Sequence, residues 1–449
     1  MIGIYQAGDA EARRILEKKY PDQAVYEARV KEILDEVRKR GDEAVLEFTA
    51  RFDGARLTAG TMGVTPEEIN EAYRLVDEEF LAALRLAKKK IVDFHAKQLN
   101  KSWIDTDEDG NILGQILRPL ERVGVYVPGG TACYPSSVLM NVLPAKVAGV
   151  PEIVMVAPPS GDGKLNAYTL VAAAEAGVTE IYKVGGAQAV GALAFGTETI
   201  RKVDLISGPG NIYVTLAKKQ VYGQVNIDML AGPSEILIVA DETANPTYVA
   251  ADLLSQAEHD VLAAAILVTP SKELAARVRE EVNRQAGYLP RREIMTASLR
   301  DYSGIIVTPD LDEAIHLANC YAPEHLEVVV ADPFGKLGKI TNAGAIFLGS
   351  FSPEPLGDYL AGPNHILPTG GTARFYSPLN VDTFMKKSSL IYYSGQGLHK
   401  VGKEIVKLAK TEGLSAHANS ILVRMPSENG LTAASYNKTG SGESGKEEN

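Results

Sequence analysis

Residues 122–157 read RVGVYVPGGTACYPSSVLMNVLPAKVAGVPEIVMVA, and this stretch decides the fold. A short β-rich run, RVGVYVP, ends at a Pro-Gly-Gly turn. An apolar helical stretch follows over Ser136–Ala148, and a second β-rich run, EIVMVA, begins at Glu152. Strand, helix and strand in this order make a βαβ unit, which implies a mainly parallel sheet with helices on its faces. The rhythm continues outward. Leu165–Ala176 is followed by EIYKVG, Ala187–Phe195 by VDLIS, and Asn211–Tyr222 closes this first series. A second series runs through EILIVAD, Pro246–Glu258, AAAILVT, Ser271–Ala286, SGIIVT, Leu311–Asn319, LEVVVAD and AGAIFLG. Two sheet units therefore fit between Arg122 and Ser350, with no convincing sequence repeat between them.

The first hundred residues read differently. Val30, Ile33, Leu34 and Val37 keep the spacing of one apolar helix face. Gly41 stops that helix, and Asp42 is expected to cap the next. Pro66 to about Asn100 reads as one more long, charged helical stretch. After Ser350, FSPEPLGDYLAGPNHILPTGGTAR is rich in Gly and Pro but keeps Phe, Leu, Tyr and Ile. A loop of that length and content is expected to be functional rather than disordered. Helical segments follow over Gly397–Lys410 and Ser415–Leu422, and the polar end of the chain reads as disordered.

Bulk properties narrow the function. The 449 residues suffice for about three domains. A net charge of -11 argues against a nucleic-acid partner, which calls for a basic surface. No apolar run is long enough for a membrane span, and the N-terminal stretch lacks the apolar core of an export signal. A cytoplasmic enzyme is expected. The two cysteines, Cys133 and Cys320, make no disulfide framework and read as small buried or loop residues.

Chemistry concentrates around a few of the seven histidines. In CYAPEHLEVVV (320–330), Glu324 and His325 stand side by side between a proline and a buried-strand pattern. The pair is either a proton-handling device or an ordinary loop end. In LLSQAEHD, Gln256 and His259 are three apart and share a face if the stretch ends a helix. That pair suits a metal, although a polar helix end explains it too. Asp358 and His365 share the Gly-rich loop, and Glu412 and His417 share TEGLSAHANS, which a surface helix end explains equally well. His95, His316 and His399 read as structural or solvated. There is no dinucleotide fingerprint and no Walker-type loop. Two Gly-rich strand ends do open helices, Gly185–Gly196 and Gly208–Tyr213, and can present free N–H groups to an anion. In open α/β sheets ligands bind beyond the carboxyl ends of strands, where these glycines would lie.

Taken together, RVGVYVPGG, GGAQAVGALAFGT, SGPGNIYV, DMLAGPSEILIVAD, DLLSQAEHD, NCYAPEHLEV, AGAIFLG, LGDYLAGPNHILPT and EGLSAHANS resemble the histidinol dehydrogenase family. These separated stretches occur in the family's order from roughly Val25 to Arg424. The resemblance implies an α/β fold of two incomplete Rossmann-like units, one inserted in the other. It places a helical N-terminal segment, 1–115, with 232–370, and an inserted NAD-side unit at 116–231. A small C-terminal segment, 371–425, would be exchanged in a homodimer, with a disordered tail at 426–449.

The resemblance also implies zinc held by Gln256, His259, Asp358 and His417, the last from the neighbouring subunit. Tyr126, Gln188 and Asn211 would contact NAD. L-histidinol would contact Ser234, Glu412, His325 and the zinc ligands, with His365 close by. Oxidation of the alcohol to the acid takes two NAD in turn. A histidine of near-neutral pKa suits the proton transfers, so His325 is expected as the base, and Glu324 as the group that readies water for the second step. A dehydrogenase acting on another polar diol, or a zinc hydrolase, would share parts of this set. Retained Ser234, His365 and Glu412 favour the amino alcohol, and the Gly-rich strand ends favour a nucleotide.

Overall fold

The computed structural model describes residues 2–18, 23–129 and 133–425. The chain opens with β1 (Ile4–Gln6), α1 (Ala10–Leu16), α2 (Ala24–Arg40), α3 (Asp42–Phe52), the short α4 (Ala59–Met62), α5 (Pro66–Leu75) and α6 (Glu78–His95). Strands β2 (Trp103–Thr106) and β3 (Ile112–Pro119) follow. The first βα series is β4 (Arg122–Tyr126), α7 (Pro135–Ala148), β5 (Glu152–Val156), α8 (Ala167–Ala176), β6 (Glu180–Tyr182), α9 (Gly186–Phe195), β7 (Leu205–Ser207), α10 (Ile212–Val221) and β8 (Asn226–Ile227). The second is β9 (Glu235–Ala240), α11 (Pro246–Ala257), β10 (Ala264–Thr269), α12 (Lys272–Ala286), α13 (Arg292–Asp301), β11 (Gly304–Val307), α14 (Leu311–Tyr321), β12 (His325–Val329), β13 (Ala345–Leu348) and α15 (Glu354–Tyr359). The chain then forms β14 (Met385–Tyr392), α16 (Gly395–Thr411) and α17 (Ser415–Leu422).

Two parallel sheets result. The five-stranded sheet has the order β6-β5-β4-β7-β8, and the six-stranded sheet the order β1-β11-β10-β9-β12-β13. Both are the mixed α/β architecture that the βα rhythm predicts. Strands buried on both faces must be apolar throughout, and alternate residues serve opposite cores. In β9, Ile236 and Ile238 pack on one side of the sheet while Leu237 and Val239 pack on the other. Each such side chain contributes roughly 1.5–3 kcal/mol by leaving water.

The N-terminal helices divide between the two sheets. Only β1 and α1 join the six-stranded sheet, as 1–115 was expected to do. Val30, Ile33, Leu34 and Val37 of α2 instead pack with α9 and α10 on the five-stranded sheet, and α5 and α6 cover its other face with α7 and α8. An apolar stripe specifies that a helix is covered, but not by which neighbour. The long stretch from Pro66 is two helices. Thr65 and Glu68 form a capping box at the first, and Asp77 caps the second through the Phe80 N–H, each cap contributing about 1 kcal/mol. Asp42 does not cap α3. Gly41 does, with φ +56°, and the Asp42 carboxylate accepts from the Thr199 hydroxyl. Both cysteines are exposed rather than buried.

The chain divides into two compact units, 1–99 with 119–385, and 100–118 with 386–449. The second unit carries a three-stranded sheet, β14-β3-β2, and the helix pair α16–α17. That sheet lies outside the βα rhythm and was not expected. The tail at 426–449, expected to be disordered, lies outside the described residues.

A buried ion pair organises the carboxyl edge of the five-stranded sheet. Lys218 Nζ contacts Asp228 Oδ1, and both side chains are almost fully buried. Lys218 also donates to the Gly208 carbonyl at 2.9 Å, and the Gly208 N–H donates to Asp228 Oδ2 at 2.8 Å. Gly208 has φ +114°, and a Cβ there would lie 2.1 Å from the Tyr126 carbonyl oxygen, so only glycine fits. From Asp228, residues 228–234 lead to the amino end of β9. They are tied by the Thr215 hydroxyl to the Ala231 carbonyl, and by the Gly232 N–H to the Thr369 hydroxyl. Replacing Lys218→Met leaves Asp228 buried without its cation. The variant should lose about 3–5 kcal/mol of stability, read as a lower urea midpoint at unchanged slope.

Candidate active site

Helix α14 ends at Tyr321, and Ala322 closes it in the left-handed conformation, φ +51°. Among the described residues it is the only non-glycine with positive φ. An L-residue there costs about 1–2 kcal/mol, and such strain persists only where the surroundings impose it. Pro323 then leads into Glu324 and β12. Neighbours in a regular strand point to opposite faces. Here the irregular entry brings the two side chains together, with Glu324 Oε2 3.7 Å from His325 Nδ1. Both are buried.

The backbone of Glu235, opening the neighbouring strand β9, holds both. Its N–H donates to Glu324 Oε2 at 3.0 Å, and its carbonyl oxygen lies 3.1 Å from His325 Nδ1. A carbonyl only accepts, so Nδ1 carries the imidazole proton and Nε2 keeps its lone pair. Nε2 has no hydrogen-bond partner and lies 4.0 Å from Glu354 Oε1. Burial pushes the Glu324 carboxyl well above the usual carboxylate range, against the pull of the Glu235 N–H. Burial also pushes His325 down to about 3. The near-neutral histidine expected is not what this site gives, because charging an imidazole away from water costs more than one carbonyl returns.

Facing this pair is a cluster of carboxylates. Glu354 and Asp358 are four apart on α15, on one face of its turn. Their oxygens and a ring nitrogen of His259 all lie within 4.8 Å of one another. Burial raises Glu354 to about 8 and Asp358 to about 6. Gln256 is buried in the last turn of α11, and neither atom of its amide has a partner. His259 lies just beyond that helix end, exposed. His365 reaches the Asp358 carbonyl with Nδ1 at 3.1 Å, and burial pushes it down to about 4. Ser234 is half-buried directly before Glu235. Glu412 and His417 belong to the second unit, at the end of α16 and on α17, and both are exposed.

Tyr126, Gln188 and Asn211 come together along a cavity of about 910 Å³ that Arg29, Arg51 and Asp53 also line. Tyr126 ends β4, and its hydroxyl accepts the Gly186 N–H at 3.1 Å. Gln188 is buried in the first turn of α9 with its amide unpartnered. Asn211 caps α10 through the N–H groups of Tyr213 and Val214. All three stand at or beyond carboxyl ends of the five-stranded sheet, as the strand-end rule predicts. Glu324, His325 and Glu235 stand at the amino edge of the six-stranded sheet, where that rule does not look.

The family description for histidinol dehydrogenase matches residues 16–425. The chain belongs to the histidinol dehydrogenase family. A histidinol dehydrogenase from Heliobacterium mobile is 62% identical over 425 residues, covering 95% of this chain and 100% of that one. One from Clostridium acetobutylicum is 55% identical over 428 residues, covering 94% and 99%. The crystal structure of histidinol dehydrogenase from Elizabethkingia anophelis superposes with a TM-score of 0.89 at 39% identity, covering 94% of this chain and 98% of that one.

Within this member of the histidinol dehydrogenase family, the structure adds residues that sequence reasoning missed. Glu354 was legible in principle, since Glu354 and Asp358 keep helical i, i+4 spacing. Glu235 reads with Ser234 as the start of a strand in MLAGPSEILIVAD, which an ordinary turn explains, and Asp53 carried no local signal. Asp53 lines the cavity with one carboxylate oxygen unpartnered, and burial raises it to about 6.

The His325 shift has a measurable consequence. Its folded pKa lies below its unfolded value of 6.5. Its contribution to stability is therefore fully present above pH 6.5 and is lost as pH falls toward about 3. Within that window the unfolded chain binds a proton that the folded chain does not, at about 1.4 kcal/mol per pH unit. Thermal unfolding of the wild type should lose midpoint faster than His325→Asn between pH 6 and pH 4. Parallel curves would show that His325 titrates normally.

Proposed function

We propose that this protein oxidises L-histidinol to L-histidine through the aldehyde, with NAD as hydride acceptor, as the closing oxidations of histidine biosynthesis. The observation that carries this reading is the Glu324–His325 pair, held side by side with Nε2 left free. The donor set favours a metal site. A buried amide with no partner, an imidazole, and two carboxyl groups that burial holds toward their neutral forms are groups that a cation would satisfy together. Gln256, His259 and Asp358 would hold zinc, with His417 supplied by a second copy of the chain. Zinc held by these residues would supply a site for imidazole and amine nitrogen, which would leave the alcohol of the substrate toward His325. Tyr126, Gln188 and Asn211 would hold NAD, which accepts the hydride.

The residues of the chain then handle protons. His325 Nε2 takes the hydroxyl proton as hydride leaves the adjoining carbon, giving the aldehyde. Once ionised, Glu324 draws a proton from the water that adds to the aldehyde, and the Glu235 N–H favours that ionised form. As that water adds, His325 returns its proton to the aldehyde oxygen, which frees Nε2 to take a proton again as the hydrate loses its hydride to the second NAD, giving the acid. Each oxidation removes one hydride and one proton, so two NADH form per histidine. Glu412 would hold the substrate ammonium by a charge-assisted hydrogen bond, with Ser234 and His365 lining the same end. Exposed Trp103, Ile104, Ile391 and Leu408 on the second unit offer apolar surface for a homodimer.

A coupled assay with histidinol and NAD should yield two NADH per histidine and stop on chelation. In that assay His325→Asn should abolish oxidation of the alcohol, while Glu324→Gln should be impaired mainly from the aldehyde onward. Equal failure of both variants on alcohol and on aldehyde would refute the division of labour. A second expectation concerns the shared site. His325→Asn and His417→Asn protomers, each inactive alone, should recover about a quarter of wild-type activity when mixed and reassembled, since half of random dimers carry one intact site of two. No recovery would place His417 outside a partner's site.

A further inference from the structure

We propose that Glu235 is the positioning residue that sets the spacing and the tautomer of the Glu324–His325 pair, and that Lys18 and Tyr321 lock it in place. The inference rests on the reading of that pair as the proton-handling groups. It adds a residue that touches neither substrate nor cofactor and acts only through the pair.

The backbone of Glu235 does the positioning. One residue gives its N–H to Glu324 and its carbonyl to His325, at 3.0 and 3.1 Å. If Glu235 moved, both groups would move, and the His325 proton would lose the acceptor that keeps it on Nδ1. The proton could then reside on Nε2, and the base would be blocked. Yet Glu235 is the first residue of β9, where a strand frays most easily, and residues 228–234 before it form no regular element. Something other than the strand has to hold it.

Its side chain supplies the lock. The Glu235 carboxylate is buried and accepts three hydrogen bonds. These come from Lys18 Nζ at 2.5 Å, the Tyr321 hydroxyl at 3.0 Å and the Gly370 N–H at 3.1 Å. Lys18 Nζ also lies 3.8 Å from the centre of the Tyr321 ring and 3.4 Å from the Ala322 carbonyl oxygen. The lock thus ties β9 to the left-handed turn that delivers Glu324, and ties both to the segment after α1. Burial alone moves Lys18 down and Glu235 up, toward their neutral forms. The contact between them, with two further donors on the carboxylate, opposes that. A buried carboxylate satisfied three times over is a rigid anchor, and a rigid anchor is what an atom-to-atom proton transfer requires.

The test is steady-state kinetics of the full-length, zinc-loaded enzyme with histidinol and NAD. Glu235→Gln and Lys18→Met should each lower kcat about tenfold to a hundredfold, the scale of a misplaced catalytic group. KM for both substrates should stay within about twofold, since neither residue touches them. Tyr321→Phe should lower kcat less, and Lys18→Arg should restore most of what Lys18→Met loses. Wild-type kcat in Glu235→Gln and Lys18→Met would overturn the inference. So would a fall in kcat matched by raised KM and a lowered melting temperature, which marks general damage. His325→Asn runs alongside. If it keeps full activity, the reading of the pair fails; if it is dead while the lock variants are normal, only the lock fails.

Discussion

Strand β12 lies parallel to β9 with His325 opposite Ile236, and to β13 with His325 opposite Ala345. The register between β9 and β12 brings the backbone of Glu235 against the side chains of Glu324 and His325. Both strands are buried on both faces, so a slip of one residue would exchange the cores on either side of the sheet and turn His325 away. The pairing that stabilises the six-stranded sheet therefore also sets where the Glu324 and His325 side chains point. Close approach at the strand's start reinforces it. A Cβ on Gly344 would lie 2.5 Å from the Glu324 carbonyl oxygen, so glycine is needed for β13 to come in at that point.

The same packing puts ionisable groups where charge is expensive. Glu324, Glu327, Glu354 and Asp358 are all moved toward their protonated forms by burial. Glu327 accepts the Glu354 N–H at 2.8 Å and is pushed up further by Asp252. Burying so many carboxyl groups costs stability at neutral pH, and a cation among His259, Glu354 and Asp358 would offset part of that cost. Such a cluster is hard to rationalise as packing and easy to rationalise as a binding site.

Most of the fold was legible because parallel strands and their covering helices leave periodic apolar signals. Most elements of the two βα series fall within a residue or two of the observed ones, while the runs read for β6 and β12 end three residues late and α13 and β8 were not expected. β1 has three residues, too few for any periodicity, and β2 and β3 expose much of their surface, so hydrophobic patterning did not mark them. The helix partners of α2 were illegible because Val30 and Val37 require burial without naming a neighbour. Of the candidate site, Glu324, His325, Gln256, His259 and Asp358 stood out by residue type and by resemblance, and the structure brings Glu324 beside His325 and Asp358 close to His259. Glu235 and Lys18 did not stand out. The whole five-stranded sheet lies between them in sequence, and their contact exists only once β9 and the segment after α1 have been brought together. His325 was expected to be a near-neutral base, whereas burial pushes it down to about 3, since burial depth cannot be read from a dipeptide.

The segment 228–234 joins the two halves of this arrangement. It starts at Asp228, which holds the Gly208 turn beside the large cavity, and ends at Ser234, next to the residue that holds Glu324 and His325. Fully extended it spans at most about 25 Å, and it is pinned along its length by Thr215 and Thr369. Surface loops elsewhere can change length at little cost. This one works as a ruler. An insertion or deletion here would shift one sheet edge against the other even with every side chain at the site intact. The segment's length, more than the identity of its side chains, is what keeps the two sheet edges in step.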